Sequence, residues 1–183
     1  MSRLGADYQM ERVIQVINRM QADGIIGKYA IGGGIAAIYY LEPYDTDDID
    51  VFIPVAAVAV GQAGLISLEP IYGYLRNLGY HPVREGVLIE DWLVQFIPTF
   101  ESVQEEAISK ALNVPYGETE TKIFSPEYLA AELLRSGRRK DHARVIALIE
   151  AKKLDMKSFR DIVKRHNLAN KWKVFARQFD LEE

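Results

Sequence analysis

Two short stretches decide the fold of this chain: Gly33-Gly34-Ile35-Ala36, and Thr46-Asp47-Asp48-Ile49-Asp50-Val51. The glycine pair follows an apolar segment at residues 28–31, which predicts a short buried strand. Residues 35–41 are apolar almost throughout and predict a buried helix. The second stretch predicts a strand over residues 48–53, in which side chains two apart point to the same face. Two carboxylates are therefore expected side by side.

Carboxylate oxygens suit a hard divalent ion, so Asp48 and Asp50 are candidate ligands for Mg²⁺ or Mn²⁺. The Gly33-Gly34 pair, between a strand and a helix, lets a phosphate approach backbone N–H groups at the helix N-terminus. Phosphoryl and nucleotidyl transfer need both features, because charge must be neutralised while the reacting groups are aligned. Taken singly, the glycines also fit a plain tight turn, and the aspartates fit a turn and helix-capping cluster.

The combined pattern resembles a known signature. It consists of a hydrophobic residue and Gly-Gly, 13 intervening residues between Gly34 and Asp48, and Asp-hydrophobic-Asp-hydrophobic. This resembles the nucleotidyltransferase superfamily, which has the DNA polymerase beta-like fold. The Thr-x-Asp-Ile-Asp version is similar to the branch of AbiEii-type abortive-infection toxins and related bacterial proteins. Residues 92–98 resemble the next core strand of that branch, and residues 125–129 and 137–141 resemble its C-terminal helical segment.

The resemblance implies roles for individual residues. Asp48 and Asp50 would be catalytic and would bind Mg²⁺ that bridges the nucleotide phosphates. The residues expected to bind nucleotide are Gly33, Gly34, Thr46, Lys140 and Asp141. Lys140 and Asp141 also fit a surface ion pair, which would be worth less than about 1 kcal/mol.

Two positions depart from the pattern of the family. Many members carry a third carboxylate, the general base, on a later strand, and Gln95 stands at the expected place. A glutamine neither accepts a proton nor binds a metal as well as a carboxylate does. Glu90 or Asp91 would have to substitute for it. Tyr44 stands where an arginine often precedes the aspartates.

The sequence thus favours a Mg²⁺-dependent enzyme that moves a nucleoside monophosphate from an NTP to a hydroxyl of RNA, a protein or a small molecule. Such a protein would fit a toxin–antitoxin or phage-defence setting, with a cognate antitoxin or a second copy as partner. One alternative is a catalytically impaired module of the same fold that binds a nucleotide or a protein. Another is a generic α+β domain in which the motif is accidental.

Composition sets the remaining limits. The chain has 183 residues and no cysteine, which excludes disulfide scaffolds, thiolate metal sites and thiol nucleophiles. No apolar run approaches the ~20 residues that a membrane-spanning helix needs, and no leader segment is visible, so we expect a soluble cytoplasmic protein. Residues 1–121 hold 7 Lys and Arg against 17 Asp and Glu, whereas residues 122–183 hold 15 against 9. The basic part suits an anionic partner, but solvated helix faces explain it equally well.

The coarse pattern predicts an α+β fold, with a mixed sheet and flanking helices over residues 1–121 and a helical bundle over residues 122–183. The predicted elements of the front part are helices at 7–23, 70–79 and 101–112, a β-hairpin over 82–98 that Pro98 ends, and an edge strand at 118–124. In the rear part, helices are expected from Ser125, over 138–152, from 155 to 166 and through the apolar stripe Leu168, Trp172, Phe175 and Phe179.

Overall fold

The structure is a computed structural model that describes residues 3–41, 46, 48–55, 59–60 and 66–181. Hydrophobic side chains that alternate with polar ones along the longer segments produce the strands, because one face of each is buried. Within the described residues the strands are β1 (Ala30–Ile31), β2 (Asp48–Pro54), β3 (Ala59–Val60), β4 (Ile66–Ser67), β5 (Pro82–Val83), β6 (Gly86–Ile89), β7 (Trp92–Thr99), β8 (Leu112–Tyr116) and β9 (Thr119–Ile123).

The helices follow apolar positions at helical spacing, with one face of each turned to the core. Those described are α1 (Arg3–Ala22), α2 (Gly33–Tyr40), α3 (Glu69–Asn77), α4 (Ser102–Ser109), α5 (Pro126–Ser136), α6 (Arg139–Glu150), α7 (Met156–Arg165) and α8 (Ala169–Gln178). The order of elements agrees with the predicted α+β class, in which helices alone follow the last strand.

One mixed sheet of seven strands, in the order β5-β6-β7-β2-β1-β9-β8, forms the centre of the fold. Strand β2 runs parallel to β7 and antiparallel to β1, and β1 runs parallel to β9. Along β2 the side chains of Ile49, Val51 and Ile53 are fully buried, while Asp48 and Asp50 alternate with them. The face of β2 that carries these three apolar side chains therefore anchors the strand in the core. The two aspartates lie on the other face.

Helix α5 connects the sheet to the helical part of the chain. It contacts α2 and α4 and also α6, α7 and α8. The predicted apolar stripe of the last helix belongs to the core, since Leu168, Trp172 and Phe175 are buried and Phe179 packs against them. The predicted division at residue 121 falls inside β9, which spans Thr119–Ile123, and it stays a prediction.

Several local predictions were wrong. The segment at 118–124 is an interior strand between β1 and β8, because the unpredicted strand β8 covers it and forms the edge. The first arm of the hairpin over 82–98 is interrupted by a turn between β5 and β6. Pro98 does not end its strand, since β7 continues to Thr99. The start of α5 agrees with the expectation, since Ser125 is its N-cap residue, with the hydroxyl donating to Glu127 Oε2 at 2.9 Å and not to a backbone N–H.

No helix in the described part of the chain is long and apolar enough to cross a membrane.

Candidate functional site

The glycine turn and the carboxylates of β2 lie against each other. Gly32 N–H donates to the backbone oxygen of Asp50 at 3.0 Å, which joins the turn before α2 to the strand. Gly33 has a φ of +55°, a conformation that glycine adopts without penalty. A Cβ at Gly33 would overlap the carboxylate of Asp50. The absence of a side chain at Gly33 thus makes room for Asp50.

Gly34 lies close to two further residues of the site, Thr46 and Arg144. A Cβ at Gly34 would lie 2.5 Å from Thr46 Oγ1 and 3.1 Å from Arg144 Nη2. Thr46 Oγ1 in turn donates to Asp48 Oδ1 at 2.7 Å, so the hydroxyl fixes one oxygen of this carboxylate. The turn therefore brings a hydroxyl, a guanidinium and two carboxylates to the N-terminal end of α2.

The two carboxylates affect each other. Burial and, after it, the negative charge of Asp48 together raise the pKa of Asp50 to about 6. The positive charges of Arg138, Lys140 and Arg144 act in the opposite direction. A cation between the aspartates would relieve their repulsion, and carboxylate oxygens are the ligands that Mg²⁺ prefers. In the described part of the chain, no group of three or more His, Cys, Asp or Glu side chains is arranged to hold a metal ion.

A cavity of about 800 Å³ opens beside these residues. Thr46 and Asp48 line it from the β2 side, and Lys140 and Arg144 line it from α6. The volume falls in the range of about 300–1,000 Å³ that is usual for small-molecule sites. Its α6 wall is cationic, as a polyphosphate requires.

Asp141 lies behind that wall. Its side chain is fully buried and accepts hydrogen bonds from Arg138 Nε at 2.6 Å and from Arg144 Nη1 at 3.4 Å. Ser136 Oγ also contacts it. Asp141 thus pairs with neighbours along the helix, as the ion-pair interpretation expected, but it does so as a buried anchor and not at the surface. Its predicted part in nucleotide binding stays a prediction.

Arg144 is not among the predicted site residues, although its position is central. Only 9% of its side chain is exposed, and it lies between Asp141 and Gly34. Lys140 and Arg144 are four residues apart, so a helix over 138–152 already places them on one face. That spacing was the available signal.

The two predicted substitutes for a third carboxylate, Glu90 and Asp91, have different partners in the structure. Glu90 is bound by Tyr80 Oη at 3.0 Å and pairs with Arg12 Nε at 3.2 Å. Asp91 lines the cavity and accepts from Gln9 Nε2 at 2.9 Å. Gln95 pairs with Asp50 in the register of β2 and β7. Tyr44 and Asp47 lie outside the described residues.

Comparison with known proteins agrees with this architecture at the level of the fold. The chain resembles the crystal structure of an antigenic nucleotidyltransferase-like protein from Paracoccidioides brasiliensis, with a TM-score of 0.51 and 16% identity over 90% of this chain and 92% of that one. The chain has a nucleotidyltransferase-like fold, as predicted.

Two further solved structures are similar at lower scores. The solution structure of the antibiotic-resistance factor ANT(2'')-Ia gives a TM-score of 0.49 and 18% identity, over 95% of this chain and 92% of that chain. The crystal structure of ANT(2'')-Ia in complex with adenylyl-2''-tobramycin gives 0.48 and 15% identity, over 93% and 98%. No protein-family model matches the chain. No curated protein matches it.

Proposed function

We propose that this protein is a Mg²⁺-dependent nucleotidyltransferase that moves a nucleoside monophosphate from an NTP to a hydroxyl group. The observation that carries the proposal is the convergence of Gly33, Asp48 and Asp50 beside a cavity with a cationic wall. A glycine turn alone or a carboxylate pair alone has many uses. Their contact at the mouth of a nucleotide-sized cavity favours phosphate chemistry.

The residues divide the work by charge. Lys140 and Arg144 bind the phosphates of the NTP, and Asp141 orients Arg144 from behind. Asp48 and Asp50 hold Mg²⁺, with Thr46 fixing one Asp48 oxygen. When bound, Mg²⁺ neutralises charge on the phosphates and on the departing pyrophosphate. This division follows from the position of the two carboxylates on one face of β2 and of the two cations on the α6 side of the cavity.

The acceptor is a hydroxyl of RNA, of a protein or of a small molecule. The resemblance to AbiEii-type toxins makes a cytoplasmic toxin–antitoxin or phage-defence component our working setting, with a cognate antitoxin or a second copy as partner. A gene for a small DNA-binding protein beside this one would support that setting.

The test is thermal unfolding of the wild type and of Asp48→Ala with each of ATP, GTP, CTP and UTP, with and without Mg²⁺. A ligand that binds only the native state stabilises it by about 2.7 kcal/mol at a hundredfold excess over Kd. We expect a Mg²⁺-dependent rise in Tm in the wild type that Asp48→Ala abolishes. Asp161→Ala, at an exposed carboxylate on α7, is the matched control and should retain the rise.

Two outcomes would contradict the proposal: no rise in Tm with any NTP in the wild type, or an equal rise in Asp48→Ala.

A second candidate function is favoured by Gln95, which lies next to Asp50 where a third carboxylate is expected. It is a module of the same fold that binds nucleotide without turnover. Binding of an NTP without release of pyrophosphate would favour this second function.

A further inference from the structure

A tight turn carries two charged side chains to the cavity. Val83 pairs with Gly86 across β5 and β6, so Arg84 and Glu85 form a two-residue connection. Arg84 has a φ of 56°, which such hairpin turns require. A Cβ at Gly86 would lie 2.5 Å from the backbone oxygen of Val94, so only glycine lets the turn sit this close to β7. The turn therefore holds Glu85 against the neighbouring strand.

Glu85 contacts the residue that stands in the place of a third carboxylate. Gln95 Nε2 donates to Glu85 Oε1 at 3.3 Å, and both side chains line the cavity together with Asp48. Residues that are paired in parallel strands project to the same face, so Gln95 lies on the face of Asp50. The amide of Gln95 can orient a carboxylate by donating to it, although it cannot itself take up a proton.

We propose that Glu85 is the general base of the transfer reaction and that Gln95 is its positioning residue. The inference rests on the proposed function. The acceptor O–H oxygen forms a bond to the α-phosphorus of the NTP while the bond from that phosphorus to the α–β bridging oxygen breaks. Pyrophosphate leaves, and the proton of the hydroxyl passes to the carboxylate of Glu85.

The other carboxylates of this region have different assignments or partners. Asp48 and Asp50 are assigned to the metal. Asp91 accepts a hydrogen bond from Gln9 on α1, whereas the hydrogen bond to Glu85 comes from Gln95, which lies on the face of Asp50. Glu90 is held by Arg12 and Tyr80. Glu85 is exposed and lines the cavity, so its carboxylate is accessible from the cavity. The chain thus keeps a carboxylate beside the Gln95 position by supplying it from the adjacent hairpin.

The experiment compares Glu85→Gln with an isosteric control, Glu90→Gln, and with a variant of the rival base, Asp91→Asn, both at the next turn, between β6 and β7. Two quantities are measured on each full-length variant. One is the Mg²⁺-dependent rise in Tm with the NTP that stabilises the wild type. The other is the rate at which that NTP is converted to pyrophosphate and either NMP, with water as acceptor, or glyceryl-NMP, with glycerol in large excess.

We expect Glu85→Gln to keep the rise in Tm and to lose about 10²- to 10⁴-fold in turnover, the usual contribution of a general base. Glu90→Gln should keep both. Glu85→Ala should recover turnover when formate is added, because a free carboxylate replaces the missing base, and a purely structural glutamate would give no such rescue. Gln95→Ala should lower turnover less than Glu85→Gln while binding is unchanged.

Turnover in Glu85→Gln equal to the wild type would overturn the assignment. Loss of turnover in Asp91→Asn with retention in Glu85→Gln would transfer the role to Asp91. A wild type that binds NTP but forms no product with water or glycerol would overturn the assignment of Glu85 as general base, while the proposed nucleotide site would stand. A wild type that binds no NTP would overturn the proposed function itself and this inference with it.

Discussion

At the scale of single residues, Gly33 is constrained twice. Its φ of +55° is unfavourable for residues with a side chain, and the carboxylate of Asp50 occupies the space that a Cβ would need. The sequence predicted a glycine turn that admits phosphate. The collision with Asp50 could not be predicted, because it depends on the register between the turn and β2.

Gly33→Ala should therefore destabilise the protein by more than its backbone conformation explains. The left-handed conformation alone costs about 1–2 kcal/mol. Displacement of Asp50 adds to this cost, and it should also abolish the Mg²⁺-dependent rise in Tm with NTP. Gly24→Ala is the matched control, since Gly24 has a φ of +73° with nothing within 4 Å of a Cβ. Urea unfolding measures both free energies. Equal losses in the two variants would contradict the collision.

At the scale of elements, the first turn of α6 is organised around one buried carboxylate. Asp141 is fully buried and binds Arg138 and Arg144, and Arg144 in turn reaches Gly34 at the start of α2. A basic-then-acidic step at the start of this helix was visible in the sequence. The partners of Asp141 were not visible, because a surface ion pair and a buried one have the same spacing in the sequence.

Asp141→Asn should lower stability strongly and weaken nucleotide binding at the same time. Removing one partner of a buried ion pair costs about 3–5 kcal/mol, because the remaining charge is left uncompensated. Asp161→Asn, at a carboxylate that is 62% exposed and paired with Arg165, should cost about 0–1 kcal/mol. Chemical denaturation followed by nucleotide titration compares the two. A loss of similar size in both variants would argue against a buried anchor.

At the scale of the whole molecule, a polar cluster ties the helical part to the α4 side of the sheet. Glu106 on α4 binds Arg165 Nη1 at 2.7 Å and also contacts His166 at the end of α7. His166 Nδ1 is hydrogen-bonded to Ser102 Oγ at 2.8 Å. The cluster forms only when residues about 60 positions apart meet.

The cluster makes stability depend on pH in the acid range. Hydrogen bonds from Arg165, and then from His166 and Tyr128, lower the pKa of Glu106 to about 2, although burial opposes them. A lowered carboxyl pKa adds stability that is complete above the ordinary value of 4.5 and is lost as the pH falls towards 2.

Glu106→Gln should therefore lower the free energy of unfolding by about 1 kcal/mol near neutral pH, because water screens part of the pair. The difference from the wild type should shrink as the pH falls from 4.5 to 2. Glu105→Gln, at an exposed neighbouring position, is the control. Urea unfolding over this range measures the difference, and one that does not change with pH would contradict the assignment.

The sequence by itself determined the α+β class, the strand that carries Asp48 and Asp50, the glycine turn before α2 and the helices after Ser125. These follow from local periodicity and from residue types whose preferred conformations do not depend on distant contacts. Only the tertiary structure decided that β8 covers β9, that Arg144 lies over Gly34 and that Glu85 reaches Gln95. Each of these depends on strand order or on side chains brought together from separate elements, which local patterns do not encode.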